Sequence, residues 1–138
     1  MIYAVIDTNV LVSALITHNH TAATSKVVNL LLEGGFTPLY DSDIIEEYQE
    51  VLHRAKFKLV PDVADALIDY IMEHGIKTSR TAFLESLPDE DDRVFYEIAL
   101  TMEDSFLVTG NLKHYPKTPQ IITPADFVSL VAESREKG

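Results

Sequence analysis

Ile2-Tyr3-Ala4-Val5-Ile6 is apolar throughout and stops abruptly at Asp7. A strand with one wet face alternates polar and apolar residues. This run does not, so both of its faces must be covered, as they are in a buried parallel strand. Asp7 then stands at a strand's carboxyl end. Parallel strands need crossover helices, and the rest of the chain supplies them. Val10 to Ile16 and Ala22 to Glu33 are apolar at helical spacing and stop at Gly34-Gly35, which predicts two helices or one broken helix. Phe36 to Tyr40 reads as a second strand, with Pro38 pointing to an edge or a strand start. Asp41-Ser42-Asp43 offers caps, with Glu46 at capping-box distance from Asp43, for a helix to about Ala55. Pro61-Asp62 opens a further helix that ends at Gly75.

Ile76 to Phe83 is expected as a third strand, and the acidic Pro88 to Asp92 segment as the start of a helix reaching about Met102. Ser105 to Thr109 and Gln120 to Ile122 supply two more strands. Thr123-Pro124 caps a last helix through Val131, and the charged tail from Glu133 is expected to fray. Strand and helix alternate, which predicts an α/β fold: a three-layer α/β/α sandwich around a central four- or five-stranded parallel sheet. With 138 residues, the chain is expected to form one domain over residues 1–138.

Charge and composition narrow the chemistry. Eleven basic and twenty-two acidic residues give a net charge of −11, so nonspecific coating of nucleic acid is disfavoured and any such contact must be local. There is no cysteine, which excludes disulfides, thiol catalysis and Cys-ligated zinc. The apolar N-terminal run is too short for a membrane span or signal peptide, and the expected location is cytoplasmic.

Ligands of open α/β sheets bind beyond the carboxyl ends of the strands, near the reversal of strand order. Asp7 lies there, although a helix cap would also suit it. On the helix after the second strand, Ile44, Ile45, Tyr48, Val51 and Leu52 form the apolar face, Glu46 and Glu50 point away, and Glu47 sits at the margin. Asp92 falls one turn before Phe95 at the inner end of the next helix, with capping as the rival role for Asp89 and Asp91. Asn111 follows the fourth strand through Gly110, where a plain turn serves equally well. Together these place three carboxylates and one carboxamide at one edge of the sheet, an oxygen-only set suited to Mg²⁺ or Mn²⁺.

Asp7-Thr8-Asn9-Val10-Leu11-Val12-Ser13, Glu47 before Tyr48, Asp89 to Ala99, and Leu107-Val108-Thr109-Gly110-Asn111 occur in that order. In this order and spacing the chain resembles the PIN-domain ribonucleases, in particular the toxin-like branch related to VapC. Aligning Ala99 with the alanine that follows the family's central motif places the catalytic aspartate at Asp92, with Asp89 as the preceding acidic position. Asn111 departs from the pattern, standing where many relatives have a fourth aspartate. The resemblance implies a PIN-like fold and metal-dependent hydrolysis of RNA. Asp7 and Asp92 would hold the ion, Glu47 would hold it or orient water, and Asn111 would complete the catalytic set. It also implies a homodimer inhibited by an antitoxin protein that inserts a segment near the acidic groove.

The basic stretches His53 to Lys58 and Lys113-His114 with Lys117 are placed along the RNA path. Three other readings compete. A binding module that grips RNA or protein without cutting draws on Asn111. Phosphoryl transfer through Asp7 would require Lys113. Zinc hydrolysis through His18 and His20 lacks a complete ligand set.

Overall fold

The computed structural model describes residues 1–118 and 120–137. Five strands, β1 (Tyr3–Ile6), β2 (Thr37–Tyr40), β3 (Ile76–Lys77), β4 (Phe106–Val108) and β5 (Ile121–Ile122), pair in parallel in the order β3-β2-β1-β4-β5. Six helices connect and flank them: α1 (Thr8–Ile16), α2 (Ala23–Leu32), α3 (Ser42–Leu52), α4 (Pro61–His74), α5 (Arg93–Ala99) and α6 (Pro124–Lys137). Ala4, Val5 and Ile6 project alternately to the two faces of the sheet, and none is more than 1% exposed. Helices therefore cover both faces, as the unbroken apolar run requires. The chain winds outward from β1 through β2 to β3, then returns to the opposite side of β1 with β4. This reversal makes the β1–β4 boundary the sheet's switch point, where a ligand cleft is expected.

Several elements differ from expectation for identifiable reasons. Pro38 does not mark an edge, because β2 lies between β1 and β3. The Thr37 N–H donates to Ile2 on the β1 side, so the position of Pro38's missing N–H faces β3, whose pairing begins only at Leu39. Gly75 ends α4 as expected, yet its φ is ordinary, and close packing is what demands glycine. A Cβ there would come within 2.5 Å of the Ile71 carbonyl and 2.6 Å of the Pro38 carbonyl. Gly34, with φ of +77°, supplies the left-handed residue after α2.

Helix α3 is capped by Asp41, whose carboxylate accepts from the Ile44 N–H at 2.9 Å, and not by Asp43, which pairs with Arg80 at 3.0 Å. It stops at Leu52, and the next residues form a short 3-10 turn, Ala55–Phe57. The third strand has only two residues, since the chain from Thr78 leaves the sheet as an irregular strap. The strap is fastened by side chains. Arg80 reaches Asp41, Asp43 and Glu97, while Arg93 donates to the carbonyls of Phe83 and Glu85 and pairs with Glu90 at 2.6 Å. Glu97, 8% exposed, accepts from the Phe83 N–H at 2.8 Å.

The acidic segment begins as a 3-10 turn, Glu90–Asp92, and α5 proper runs only to Ala99. The final helix does not fray after Glu133 but continues to Lys137. Phe127 anchors its start edge-on against Phe36 at 4.9 Å, and Arg135 ties its end to Glu33 at 3.7 Å. Among the described residues, no helix is both long and apolar enough to cross a membrane.

Candidate active site

Asp7 leaves β1 at the switch point and is only 2% exposed. Its Oδ2 accepts from Thr109 Oγ1 at 2.8 Å and from the Tyr115 hydroxyl at 3.4 Å, and Oδ1 accepts from the Asn9 N–H at 3.3 Å. The last contact caps α1, so the carboxylate at the switch point also serves as a helix cap. Burial, with the Asp7 and Asp92 charges nearby, pushes the Tyr115 phenol far above its usual range, so it remains a proton donor. Thr109 in turn accepts from the Asn111 N–H at 3.0 Å, joining the β4 exit to Asp7.

Glu47 is oriented by its neighbour on α3. Tyr48 is 1% exposed and donates from its hydroxyl to the Ile6 carbonyl at 2.5 Å, fixing the rotation of the helix against the end of β1. Glu47 is thereby carried to the flank predicted for it, where it accepts from Thr8 Oγ1 at 2.8 Å. Burial raises its pKa above the usual carboxylate value; Asp7, Asp92 and Asp91 raise it further, and the Thr8 hydroxyl partly counteracts them.

Asp92 closes the 3-10 turn with a side chain 13% exposed, and its Oδ2 lies 2.8 Å from His114 Nδ1. Its pKa is raised, first by burial and then by Asp7 and Asp89, against the lowering effect of His114. Asp91 is exposed. Asp89 accepts from the Asp91 N–H at 3.0 Å, the capping role anticipated for it. Ligand-capable atoms of Asp89, Asp92 and His114 lie within 4.8 Å of one another.

Asp7, Glu47 and Asp92 thus come close enough to feel one another's charge. Asn111 is joined to them through its backbone and Thr109, and it also lines a neighbouring cleft of about 310 Å³ with Asn9, Ser13 and Thr24. Among the described residues, no lysine or arginine pairs with Asp7, Glu47 or Asp92. Of the basic stretches, His53 is bound to Asp65 at 2.8 Å and Arg54 to Glu50 at 2.7 Å, leaving Lys56 and Lys58 as the available cations of that run.

Sequence reasoning passed over Thr8, Thr109 and Tyr115 as anchors of the site, and it placed His114 on a substrate path instead of beside Asp92. Both threonines lie in the quoted motifs, whereas nothing local marks Tyr115.

The donor set fits a hard divalent cation: several carboxylate oxygens, mutually repelling, with no resident arginine or lysine to neutralise them. A parallel α/β domain with such a cluster at its switch point carries its acidic side chains where open α/β sheets bind their ligands. Residues 3–113 match the family model of the PIN domain, and the chain belongs to that family, whose members are in general nucleases using divalent metal. No curated protein and no solved structure gives a significant match.

The raised carboxyls have a stability consequence with a definite sign. When the folded-state pKa exceeds the unfolded value, the folded chain holds its proton more tightly, and stability is lost as pH rises through the folded pKa. In EDTA, the melting temperature of Asp92→Asn should therefore gain on that of the wild type as pH rises from about 4 to about 7. Saturating Mn²⁺ should reverse the order, since an ion that binds the folded state stabilises it by mass action. Parallel pH profiles for the two proteins in EDTA would refute this account of Asp92.

Proposed function

We propose that the protein is a Mg²⁺- or Mn²⁺-dependent endoribonuclease acting as the toxin of a toxin–antitoxin pair in the cytoplasm. The observation that carries the reading is the convergence of Asp7, Glu47 and Asp92 at the switch point of a PIN domain. Asp7 and Asp92 would hold the ion, and Asn111 would add a neutral oxygen donor at the β4 exit. A divalent ion bound there neutralises charge building on the phosphate and lowers the proton affinity of water.

The protein's own groups do the rest. Glu47, with its raised pKa, is suited to accept a proton from the attacking water. Thr109 and Tyr115 keep Asp7 in one orientation by donating to it. Lys113 and Lys117, beyond the β4 exit, supply local positive charge for an RNA backbone that the net charge of −11 would otherwise repel.

A second copy of the chain would have apolar surface to bury in a groove of about 480 Å³ lined by Leu15, Val28, Leu32, Val63, Leu67 and Tyr70, whereas an antitoxin segment would insert near the acidic groove. The direct test incubates the purified chain with mixed-sequence RNA in Mg²⁺, in Mn²⁺ and in EDTA. Cleavage with either ion and none in EDTA is the expected result. RNA retention without cleavage in any buffer would instead support the binding-module reading.

A further inference from the structure

The connection from β4 to β5 leaves a pocket of about 360 Å³ with apolar walls from Leu112, Tyr115, Pro116 and Ile121. Leu112 is 44% exposed, apolar surface left in water unless an occupant covers it. Tyr115 links the pocket to the acidic cluster, because it lines the one and its hydroxyl reaches Asp7 in the other.

Lys113 and Lys117 lie on the same pocket. All four arginines, Arg54, Arg80, Arg93 and Arg135, are held by carboxylates, whereas these two lysines make no ion pair among the described residues. In a chain of net charge −11, two free cations beside one apolar pocket call for an occupant that is apolar where it enters and negative on either side. Thr118 adds a third requirement. It lines the pocket, and its Oγ1 is the only buried side-chain nitrogen or oxygen without a hydrogen-bond partner among the described residues. A hydroxyl left that way costs stability that a valine would not. Rotation about Cα–Cβ exchanges it with the methyl group and breaks no existing bond, so an occupant with a polar edge can recruit it.

We infer that this pocket holds the base of one unpaired RNA nucleotide next to the phosphate being cut, with Lys113 and Lys117 on the flanking phosphates and the Thr118 hydroxyl on the edge of the base. Pockets for small ligands span about 300–1,000 Å³, so 360 Å³ has room for one nucleoside and no longer segment. A base has two apolar faces and a polar edge, which match apolar walls and a single hydroxyl. Inside a duplex that base is stacked and paired, so the subsite selects single-stranded RNA. The inference rests on the nuclease reading for the polymer that supplies the nucleotide.

The test titrates the ¹⁵N-labelled chain with a trinucleotide RNA in EDTA, following amide shifts by NMR. Only the central base of a trinucleotide has a phosphate on each side. Shifts concentrated in residues 112–118 and 121 are expected. Replacing the central nucleotide by an abasic one should weaken binding about five- to tenfold, and replacing either end less than about twofold. Leu112→Trp, which fills the pocket from an exposed position, should erase the dependence on the central base. Thr118→Val should bind about threefold more weakly while its melting temperature does not fall, a pairing that a purely structural hydroxyl would not produce. Equal losses at all three positions overturn the inference, as do shifts confined to other parts of the chain or a Thr118→Val chain that binds like the wild type. A nucleoside monophosphate that binds as tightly as the trinucleotide would make this a free-nucleotide site and overturn the assignment to RNA. If the variants do not fold, the shifts and the abasic series on the wild type decide. The central-base effect without cleavage in Mg²⁺ or Mn²⁺ would sink the nuclease reading and spare this one; cleavage without that effect would do the reverse.

Discussion

Asp7→Asn should lower metal-dependent RNA cleavage by about a thousandfold or more while leaving the fold in place. Asparagine is nearly isosteric, and its carbonyl oxygen at the Oδ2 position would still accept from Thr109 and Tyr115. The amide nitrogen would then face the Asn9 N–H, forfeiting a 3.3 Å capping bond whose loss costs at most about 1 kcal/mol. Removing one of three converging negative charges offsets part of that cost in the absence of metal. Catalysis has no such compensation. A neutral amide in a water-poor site surrenders the strongest attraction for the ion, and losing one preorganised electrostatic contact typically costs a hundred- to a thousandfold in rate. Cleavage kinetics in Mn²⁺, with melting curves recorded in EDTA, would separate the two effects. A pure mutant that cuts at the wild-type rate would remove Asp7 from the mechanism.

Neighbouring glutamates on α3 give the second large contrast. Glu47→Gln is expected to reduce cleavage about a hundredfold, whereas Glu46→Gln should stay within about twofold of wild type. The two side chains differ by one step of about 100° around the helix. That step is decisive because Tyr48, bonded to the Ile6 carbonyl, prevents the helix from turning. Glu46 is exposed, while Glu47 rests on Thr8 and senses Asp7 and Asp92. Glutamine at position 47 can still accept from Thr8, so lost activity would report lost basicity or charge and not a displaced side chain. Comparable rates for both variants would show that α3 does not present position 47 to the reaction.

The parts of this architecture that were legible from sequence are those with local causes. The unbroken apolar run Ile2 to Ile6 required a parallel strand, Pro61 and Gly75 bracket α4, and Thr123 caps α6 ahead of Pro124. The helical wheel alone separated Glu47 from Glu46. Other features depend on partners far along the chain. Helix α6 continues past Glu133, where Arg135 lies 3.7 Å from Glu33, a proximity that the local charge pattern does not reveal. The strap after β3 resembled a strand, since Ile76 to Phe83 carries apolar residues, yet Arg80 and Glu97 draw it off the sheet. Arg80 pairs with both Asp41 and Asp43, and only the bond from the Ile44 N–H singles out Asp41 as the cap. Tyr115 and His114 meet Asp7 and Asp92 from 108 and 22 residues away, and no spacing rule finds such pairs.

The strand order carries a temporal consequence. β1 is made first, but the strand that completes the site beside it is β4, and the bond from Thr109 to Asp7 spans 102 residues. At common rates of synthesis, roughly 5–20 s separate the emergence of the two ends. During that interval β1 can pair with β2 alone, and its other edge stays bare. Asp7 then lacks Thr109 and Tyr115, Asp92 is made only late in that interval, and His114 follows it. A nascent chain that has not yet extended past β4 therefore carries no assembled acidic cluster, so whatever the site does begins only after that strand has joined β1.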